Sequence, residues 1–290
     1  MKLVTFVYND VEMVGVLSED EKKVCPIKDF SSMNELIEEA DKSDLDRISQ
    51  MALVKEGTID LSEVKIKSPI PQPRQDIICL GINYAAHAKE AGEFDKDAFL
   101  KQSEKAIYFS KRVNYSPGDG EEICGHFDIV ETLDYEAEMA VIIGKDAKNV
   151  KKEDVKDYIF GYSVFNDVSA RNVQTGHKQW YFGKSLEGFA PMGPCILTAD
   201  CVSYPPELNI SAKVNGELRQ DSNTKYLITD IDNIISELSH GIMLKAGTII
   251  ATGTPSGVGM GLNPPKFLND GDVVECTVEK IGSLTNKFVK

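Results

Sequence analysis

The feature that most constrains this chain is an apolar strand that begins with two carboxylates. Residues Ala137–Ile143 form an apolar run that predicts a β-strand, and Glu136 and Glu138 stand at its start. Side chains at positions i and i+2 of a strand point to the same face, so these two carboxylates project together. Paired carboxylates repel each other unless a cation or a proton lies between them. The strand is therefore a candidate site for a hard divalent cation.

Asp167 is the third candidate ligand, because it follows a long apolar run at residues 158–166 that predicts a buried strand. Three carboxylates around one divalent cation leave about three octahedral positions for water and substrate, which is typical of a catalytic centre. The spacing leaves two alternatives open. Glu136 and Glu138 could lie on the solvated face of an edge strand, and Asp167 could cap a helix that begins near Ser169.

Two further segments carry groups suited to acid–base chemistry. His87 and Glu90 stand three residues apart in a predicted helix at residues 83–91, which Gly92 is expected to end. A carboxylate beside an imidazole raises the basicity of the ring, as a general base requires. Lys184 lies among aromatic and glycine residues, where a lysine can bind a carboxylate or stabilise an enolate. A plain surface helix and a solvated lysine are the alternatives.

A glycine-rich loop at residues 252–261 follows a predicted strand, but its pattern argues against nucleotide binding. Its glycines do not fit G-x-G-x-x-G, and the prolines at 264 and 265 prevent the helix that this motif requires. The loop instead predicts a rigid surface that presents backbone N–H groups and the Thr254 hydroxyl to an anion. A plain connecting loop is the alternative.

Prolines at positions 69, 71 and 73 indicate a domain boundary, because they cannot continue a helix or a central strand. We predict a small N-terminal α/β domain at residues 1–70 and a strand-rich domain at residues 71–290. Strands in the larger part do not alternate regularly with helices, which argues against a doubly wound sheet.

The net charge and the hydropathy pattern limit the classes of binding partner and the cellular compartment that we expect for this chain. The formal net charge of −14 would repel nucleic acid and anionic lipid, and no basic stripe offsets it. The chain has no run of the roughly 18 apolar residues that a membrane span needs, and no signal-peptide pattern at its start. We therefore predict a cytoplasmic protein that binds neither nucleic acid nor membrane. An anionic substrate would need cations supplied by the site itself.

Six segments, in order along residues 76–260, resemble the fumarylacetoacetate hydrolase family: GINYAAHAKE, LDYEAEMAVIIGK, FNDVSARNVQ, GKSLEGFAPMGP, VNGELRQ and ATGTPSGVG. The likeness is to its acylpyruvate hydrolase and 2-hydroxyhepta-2,4-diene-1,7-dioate isomerase members. The resemblance implies an α+β, strand-rich fold, with a mixed β-sandwich-roll catalytic domain and a small N-terminal α/β domain. It also implies a homodimer and a small-molecule 2-oxo-carboxylate substrate.

The resemblance further implies roles for individual residues. A divalent cation, Mg²⁺ or Mn²⁺ and in crystals also Ca²⁺, would be held by Glu136, Glu138 and Asp167. The catalytic residues of the family fall on His87, Glu90 and Lys184. The residues that contact substrate carboxylate or oxo oxygens fall on Arg171, Gln174 and Thr254.

The favoured function is hydrolysis of an acylpyruvate, a 2,4-dioxo acid, at a carbon–carbon bond. The cation would chelate the 2-oxo-carboxylate, His87 would deprotonate the attacking water, and pyruvate would leave as its enolate. The alternatives on the same site are isomerisation, tautomerisation or decarboxylation of 2-oxo or 2-hydroxy-diene dicarboxylates, including oxaloacetate. A non-catalytic binding protein with the same fold is a remaining alternative. Residues 83–104 are expected to form a lid.

Overall fold

The structure is a computed structural model that describes residues 1–53, 57–94 and 105–290. Its strands are β1 (Lys2–Tyr8), β2 (Val11–Leu17), β3 (Lys23–Ile27), β4 (Ile59–Asp60), β5 (Lys65–Ile66), β6 (Ile77–Gly81), β7 (Ile107–Lys111), β8 (Glu122–Cys124), β9 (Leu133–Asp134), β10 (Ala137–Ile143), β11 (Ile159–Asn166), β12 (Ser169–Ala170), β13 (Met192–Thr198), β14 (Asn209–Val214), β15 (Glu217–Asn223), β16 (Ile249–Ala251), β17 (Val273–Val278) and β18 (Gly282–Val289). Its α-helices are α1 (Met33–Glu39), α2 (Lys42–Met51), α3 (Ala85–Phe94), α4 (Arg171–Gly176), α5 (Tyr181–Lys184) and α6 (Ile231–Gly241).

The strands form mixed sheets. Within the described ranges the larger sheet has the order β4-β3-β2-β1-β13-β11-β10-β16-β6-β7, with β5 paired to β1. The smaller sheet has the order β15-β14-β17-β18-β8, and β9 pairs with β12. The β16–β6 and β18–β8 pairs are parallel, and strands such as β10 and β11 pair antiparallel. The predicted fold class, strand-rich with mixed sheets and few helices, is confirmed.

Strand β10 contributes to two cores, because successive side chains of a strand point to opposite faces. Met139 and Val141 belong to the core shared with strands β14 and β17 of the smaller sheet. Ala140 and Ile142 pack on the other face, in the core that includes helices α1 and α2. Both faces are covered, so every residue of β10 is buried. Glu138 shares the face of Ala140 and Ile142 and is carried into the interior.

The ends of several strands meet at one edge of the larger sheet. Ala137 of β10 pairs with Asn166 of β11, so Asp167 follows directly beside the start of β10. The backbone N–H of Asp167 donates to the Glu136 carbonyl at 2.9 Å. Strand β16 pairs with both β10 and β6. This pairing brings the loop after β16 and the segment after β6, which leads into helix α3, to the same edge.

The N-terminal strands join the larger sheet through the antiparallel pair β1–β13. Between β1 and β2, Asn9 and Asp10 have φ of 49° and 61°, the left-handed conformation typical of a two-residue hairpin turn. The sheet therefore runs across the predicted boundary at residue 70 without a break. The division into domains 1–70 and 71–290 stays a prediction.

Helix α3 runs past Gly92, so the predicted end at that glycine is wrong. Gly92 keeps a helical backbone and does not adopt the left-handed conformation with which glycine ends a helix. Of the lid expected at residues 83–104, residues 95–104 lie outside the described residues. Among the helices that the structure describes, none is long and apolar enough to cross a membrane.

Candidate metal centre and active site

The three predicted ligand carboxylates lie together in the interior. One oxygen each from Glu136, Glu138 and Asp167 lies within 4.8 Å of the others. Glu138 and Asp167 are fully buried, and 5% of the Glu136 surface is exposed. The alternative of a solvated edge strand is wrong, because β10 is a central strand covered on both faces.

Only one of the two carboxylate oxygens of Glu138 has a hydrogen-bond partner among the described residues. Its Oε2 accepts a hydrogen bond from the Gly253 N–H at 2.8 Å, whereas its buried Oε1 has no partner among the described residues. Burial raises the pKa of Glu138 well above its usual value, and the nearby Asp167 and Glu136 raise it further. A buried, unpartnered carboxylate oxygen within a cluster of three carboxylates fits a divalent cation, which prefers such oxygen ligands.

Two cationic side chains hold Glu136. Lys184 Nζ lies 2.9 Å from Glu136 Oε2 and 2.8 Å from Asp167 Oδ2, and Arg171 Nη2 lies 2.6 Å from Glu136 Oε1. Burial alone would raise the pKa of Glu136, but Lys184 and Arg171 outweigh burial and hold that pKa well below its usual range. Two residues predicted for catalysis and substrate binding therefore contact the predicted metal ligands.

Lys111 belongs to the site, although the sequence patterns did not predict it. Its fully buried Nζ forms an ion pair with Asp167 Oδ1 and donates to the Val168 carbonyl at 2.9 Å. Burial lowers the pKa of Lys111, while Asp167 acts in the opposite direction. The available signal was a lysine that closes the otherwise uncharged strand β7. Lys111 and Lys184 hold the two oxygens of Asp167 between them.

Asp134 is a second buried residue that the patterns missed. Its carboxylate accepts hydrogen bonds from Arg171 Nε at 2.9 Å and from the backbone N–H groups of Gly259 and Met260 at 2.7 and 3.1 Å. It therefore ties the glycine-rich loop to the arginine that contacts Glu136. The available signal was its position two residues before Glu136, within the same acidic stretch.

Thr254 lines the cavity with its hydroxyl engaged by the protein. Its Oγ1 donates to the Ala137 carbonyl at 2.9 Å and accepts from Gln220 Nε2 at 2.8 Å. Gln220 in turn accepts from the Ala137 N–H at 3.0 Å, and this contact explains the last residue of the VNGELRQ segment. The Thr254 hydroxyl can donate a hydrogen bond to a substrate only if its hydrogen bond to the Ala137 carbonyl breaks. The substrate role of Thr254 stays a prediction.

His87 is 4% exposed and faces the same cavity from helix α3. Its Nδ1 lies 3.5 Å from Glu90 Oε2, so the predicted pair is adjacent. This contact is longer than a strong hydrogen bond, and contacts between catalytic groups often shorten when a ligand binds. The Glu90 carboxylate also accepts from the Gly257 N–H at 2.9 and 3.1 Å, which anchors α3 to the glycine-rich loop.

Most of the predicted site residues line one cavity: His87, Glu136, Arg171, Gln174, Lys184 and Thr254. The other three lie beside this group. Glu90 lies beside His87, Asp167 accepts from Lys184, and Glu138 belongs to the carboxylate cluster. The structure therefore brings all the predicted residues to one place, although they come from distant parts of the chain.

Replacing Lys111 tests whether the ion pair with Asp167 is part of the buried framework. We expect Lys111→Met to lower the free energy of unfolding by about 3–5 kcal/mol in EDTA, because it removes the cation paired with Oδ1 of the buried Asp167 carboxylate and leaves Lys184 on Oδ2. Lys213→Met is the matched control, since Lys213 pairs with Glu275 at 2.8 Å on the exposed surface. That change should stay within about 1 kcal/mol. Equal losses in urea unfolding would contradict the buried role.

Comparison with known proteins gives concordant results. The family model described as "Fumarylacetoacetate (FAA) hydrolase C-terminal" matches residues 76–289. The chain is 40% identical over 287 residues to oxaloacetate tautomerase YisK from Bacillus subtilis, and the match covers 96% of this chain and 94% of that relative.

Solved structures of similar proteins agree over the whole chain. Fumarylacetoacetate hydrolase from Exiguobacterium antarcticum has a TM-score of 0.86 at 35% identity, covering 100% of this chain and 99% of that one. Maleylpyruvate hydrolase from Sphingobium, solved with a manganese(II) ion and pyruvate, has a TM-score of 0.78 at 30% identity, with the same coverage.

Proposed function

The chain belongs to the fumarylacetoacetate hydrolase family, and on that premise we propose that it is a metal-dependent hydrolase of acylpyruvates. The family match and the relatives confirm the resemblance found in the sequence. The observation that carries the proposal is the placement of His87 in the same cavity as Lys184 and the carboxylate cluster. A substrate in this cavity would then meet the imidazole base, the lysine ammonium group and the carboxylates that can bind a metal ion.

The buried charges suit a substrate that carries a carboxylate. Within the described residues the framework contains three cations, Lys111, Lys184 and Arg171, and four carboxylates, Asp134, Glu136, Glu138 and Asp167. This group has one negative charge in excess when all are ionised. Mg²⁺ or Mn²⁺ held by Glu136, Glu138 and Asp167 would reverse that sign, polarise a 2-oxo-carboxylate and favour its enolate. The site would thus attract an anion despite the net charge of −14.

The residues of this chain would carry the proton transfers. His87, with Nδ1 toward Glu90, would take a proton from water through Nε2. The hydroxide would add to the distal carbonyl carbon, and the bond between that carbon and the methylene would break. The electron pair would pass to the methylene as the pyruvate enolate, which Lys184 would stabilise until it is protonated. The products would be pyruvate and a carboxylic acid.

A second candidate is keto–enol tautomerisation of oxaloacetate. The observation that favours it is the 40% identity to an oxaloacetate tautomerase over nearly the full chain. In that reaction His87 would move a proton between C3 and the enol oxygen, and no water would attack. The two candidates share the enolate and differ in whether a carbon–carbon bond breaks.

The proposal is tested by stripping the protein with EDTA, restoring Mg²⁺ or Mn²⁺ and supplying acetylpyruvate. We expect metal-dependent loss of the diketone absorbance, with one pyruvate formed for each acetylpyruvate consumed. Oxaloacetate, followed in parallel by its enol absorbance, tests the second candidate. Metal-restored protein that leaves acetylpyruvate intact but speeds oxaloacetate tautomerisation would refute the hydrolase proposal and favour the tautomerase.

A further inference from the structure

A buried hydrogen-bond network reaches from the smaller sheet to Thr254 in the cavity wall. Gln220 of β15 is fully buried, and Thr254 is 2% exposed. Gln220 Oε1 accepts a hydrogen bond from the Ala137 N–H at 3.0 Å. Gln220 Nε2 donates to the Pro255 carbonyl and to Thr254 Oγ1, both at 2.8 Å. The network therefore links the start of β10 to the glycine-rich loop.

Backbone groups fix the direction of every hydrogen bond in this network. A backbone N–H can only donate and a carbonyl oxygen can only accept, so Ala137 and Pro255 determine which end of the Gln220 amide carries the oxygen. Gln220 Nε2 must then donate to Thr254 Oγ1. The Thr254 proton goes to the Ala137 carbonyl at 2.9 Å. One lone pair is left on the hydroxyl oxygen for a further partner.

A ligand that contacts the Thr254 hydroxyl must therefore donate a hydrogen bond to it. Carboxylate and 2-oxo oxygens can only accept, so they would have to take the proton from Ala137 and leave a buried carbonyl without its partner. The family resemblance assigns Thr254 to such oxygens, and the hydrogen-bond directions favour a different partner. In the proposed hydrolysis, the keto form of the acylpyruvate carries no proton on oxygen, whereas water carries two.

His87 supplies a second acceptor in the same cavity. Its Nδ1 faces Glu90 Oε2 at 3.5 Å, so in the neutral ring with its proton on Nδ1 the acceptor is Nε2. His87 and Thr254 both line the cavity, which leaves about 10 Å³ for the centre of a water-sized molecule. This is room for about one water. One water can donate one proton to each of two acceptors.

An acylpyruvate needs more space than one water, so its entry must displace part of the cavity wall. The hydrogen bonds that orient the Thr254 hydroxyl come from β10, β15 and the glycine-rich loop. None of these bonds involves helix α3, which carries His87. A shift of α3 would therefore leave the direction of the Thr254 proton unchanged.

We propose that Thr254 is the hydrogen-bond acceptor that orients the attacking water, with Gln220 fixing the direction of its hydroxyl proton. One water proton lies toward His87 Nε2 and the other toward Thr254 Oγ1, which directs an oxygen lone pair to the distal carbonyl carbon. The O–H bond toward His87 breaks as the new C–O bond forms, and the π pair of the carbonyl moves to its oxygen. The inference rests on the proposed function and adds the second contact of its water.

Thr254→Val tests this contact, because valine has nearly the same shape and lacks the hydroxyl. In the Mn²⁺-loaded protein it should lower kcat for acetylpyruvate by about 10²-fold, as expected for a misplaced reactant, and leave KM nearly unchanged. Thr254→Ser keeps the hydroxyl and should retain most of the turnover. A kcat of Thr254→Val equal to that of the wild type would overturn the proposal.

Thr224→Val is the matched control. The buried Thr224 hydroxyl donates to the Pro206 carbonyl at 2.7 Å and accepts from the Leu208 N–H at 2.9 Å. Thr224 is not among the described residues that line the cavity. Both valine variants should lower the melting temperature, and only Thr254→Val should lower kcat. An equal fall in kcat in Thr224→Val would assign the effect to stability and overturn the proposal.

Pyruvate binding tests the direction of the Thr254 hydroxyl independently of turnover. Pyruvate carries a carboxylate and a 2-oxo oxygen and has no 4-oxo group to be attacked. Titration calorimetry on the Mn²⁺-loaded protein should give the same pyruvate affinity for the wild type and Thr254→Val. An affinity about tenfold lower in Thr254→Val, the effect of one lost hydrogen bond, would show that Thr254 donates to the ligand and would overturn the proposal.

This design separates failure of the inference from failure of the proposed function. A wild type that cleaves acetylpyruvate no faster than Thr254→Val would remain a hydrolase, and the water contact would be refuted. A wild type that does not cleave acetylpyruvate would refute the hydrolase and the role of the water together. The pyruvate titration would still decide whether the Thr254 hydroxyl donates to a 2-oxo-carboxylate.

Discussion

Glu138→Gln should abolish divalent-metal binding and lower turnover by about 10³-fold or more, while making the metal-free protein more stable. The activity loss follows because Lewis-acid assistance supplies several kcal/mol of transition-state stabilisation. The gain in stability follows because the amide can still accept from the Gly253 N–H but removes a buried carboxylate that has an unpartnered oxygen. A variant that gains stability and loses activity identifies a metal ligand, because replacing a residue of the packed core would lower the stability.

The pH dependence of the metal-free protein has a definite sign. Because the pKa of Glu138 is raised in the folded state, folding binds a proton that the unfolded chain has released above its usual pKa near 4.5. The contribution of this group to stability is therefore lost as pH rises above that value. In EDTA, Glu138→Gln should remove the part of the pH dependence of stability that comes from this group. In the wild type, saturating Mn²⁺ should weaken it, because the cation takes the place of the proton.

Melting temperatures and Mn²⁺ titrations, each with and without EDTA, measure these effects. Glu153→Gln, a change on the exposed surface, is the matched control and should behave as the wild type. If Glu138→Gln bound Mn²⁺ with wild-type affinity, the assignment of Glu138 as a ligand would be wrong.

His87→Asn should lower the rate of acetylpyruvate hydrolysis by about 10²–10⁴-fold and leave Mn²⁺ affinity unchanged. Asparagine keeps polar atoms in the cavity but cannot take a proton from water. Among the contacts of the described residues, His87 forms an ion pair with none of Glu136, Glu138 and Asp167 and acts on Glu136 only by helping to lower the pKa of that carboxylate, so the ligand set should remain intact. Turnover assays and calorimetry on the same preparations separate the two effects.

His240→Asn is the control for this prediction, because His240 is exposed on helix α6. Near-wild-type hydrolysis by His87→Asn would show that another group activates water. If His87→Asn lost hydrolysis but kept oxaloacetate tautomerisation, the base for water and the base for enolisation would be different residues.

Local patterns determined part of the site. Glu136 and Glu138 share a face because strand side chains alternate, and His87 and Glu90 are neighbours because helix side chains three apart adjoin. Both relations depend only on secondary structure, so periodicity was enough to predict them. Asp167 and Lys184 were candidates from their positions, after a buried strand and among aromatic residues, and the recognised segments added Arg171, Gln174 and the sandwich-roll fold. Homodimer assembly stays a prediction.

The sequence by itself determined which functional groups the chain brings to the site. It predicted strands with one or both faces buried, a pair of carboxylates on one strand face, and a histidine beside a glutamate on a helix. Only the tertiary structure decided what these groups meet. Lys111 pairs with Asp167, Asp134 holds the distant glycine-rich loop, and the Thr254 hydroxyl turns to Ala137. These contacts depend on strand order and register, which join residues far apart in the chain. Hydrophobic periodicity records which face of a strand is buried, but not which strand lies beside it.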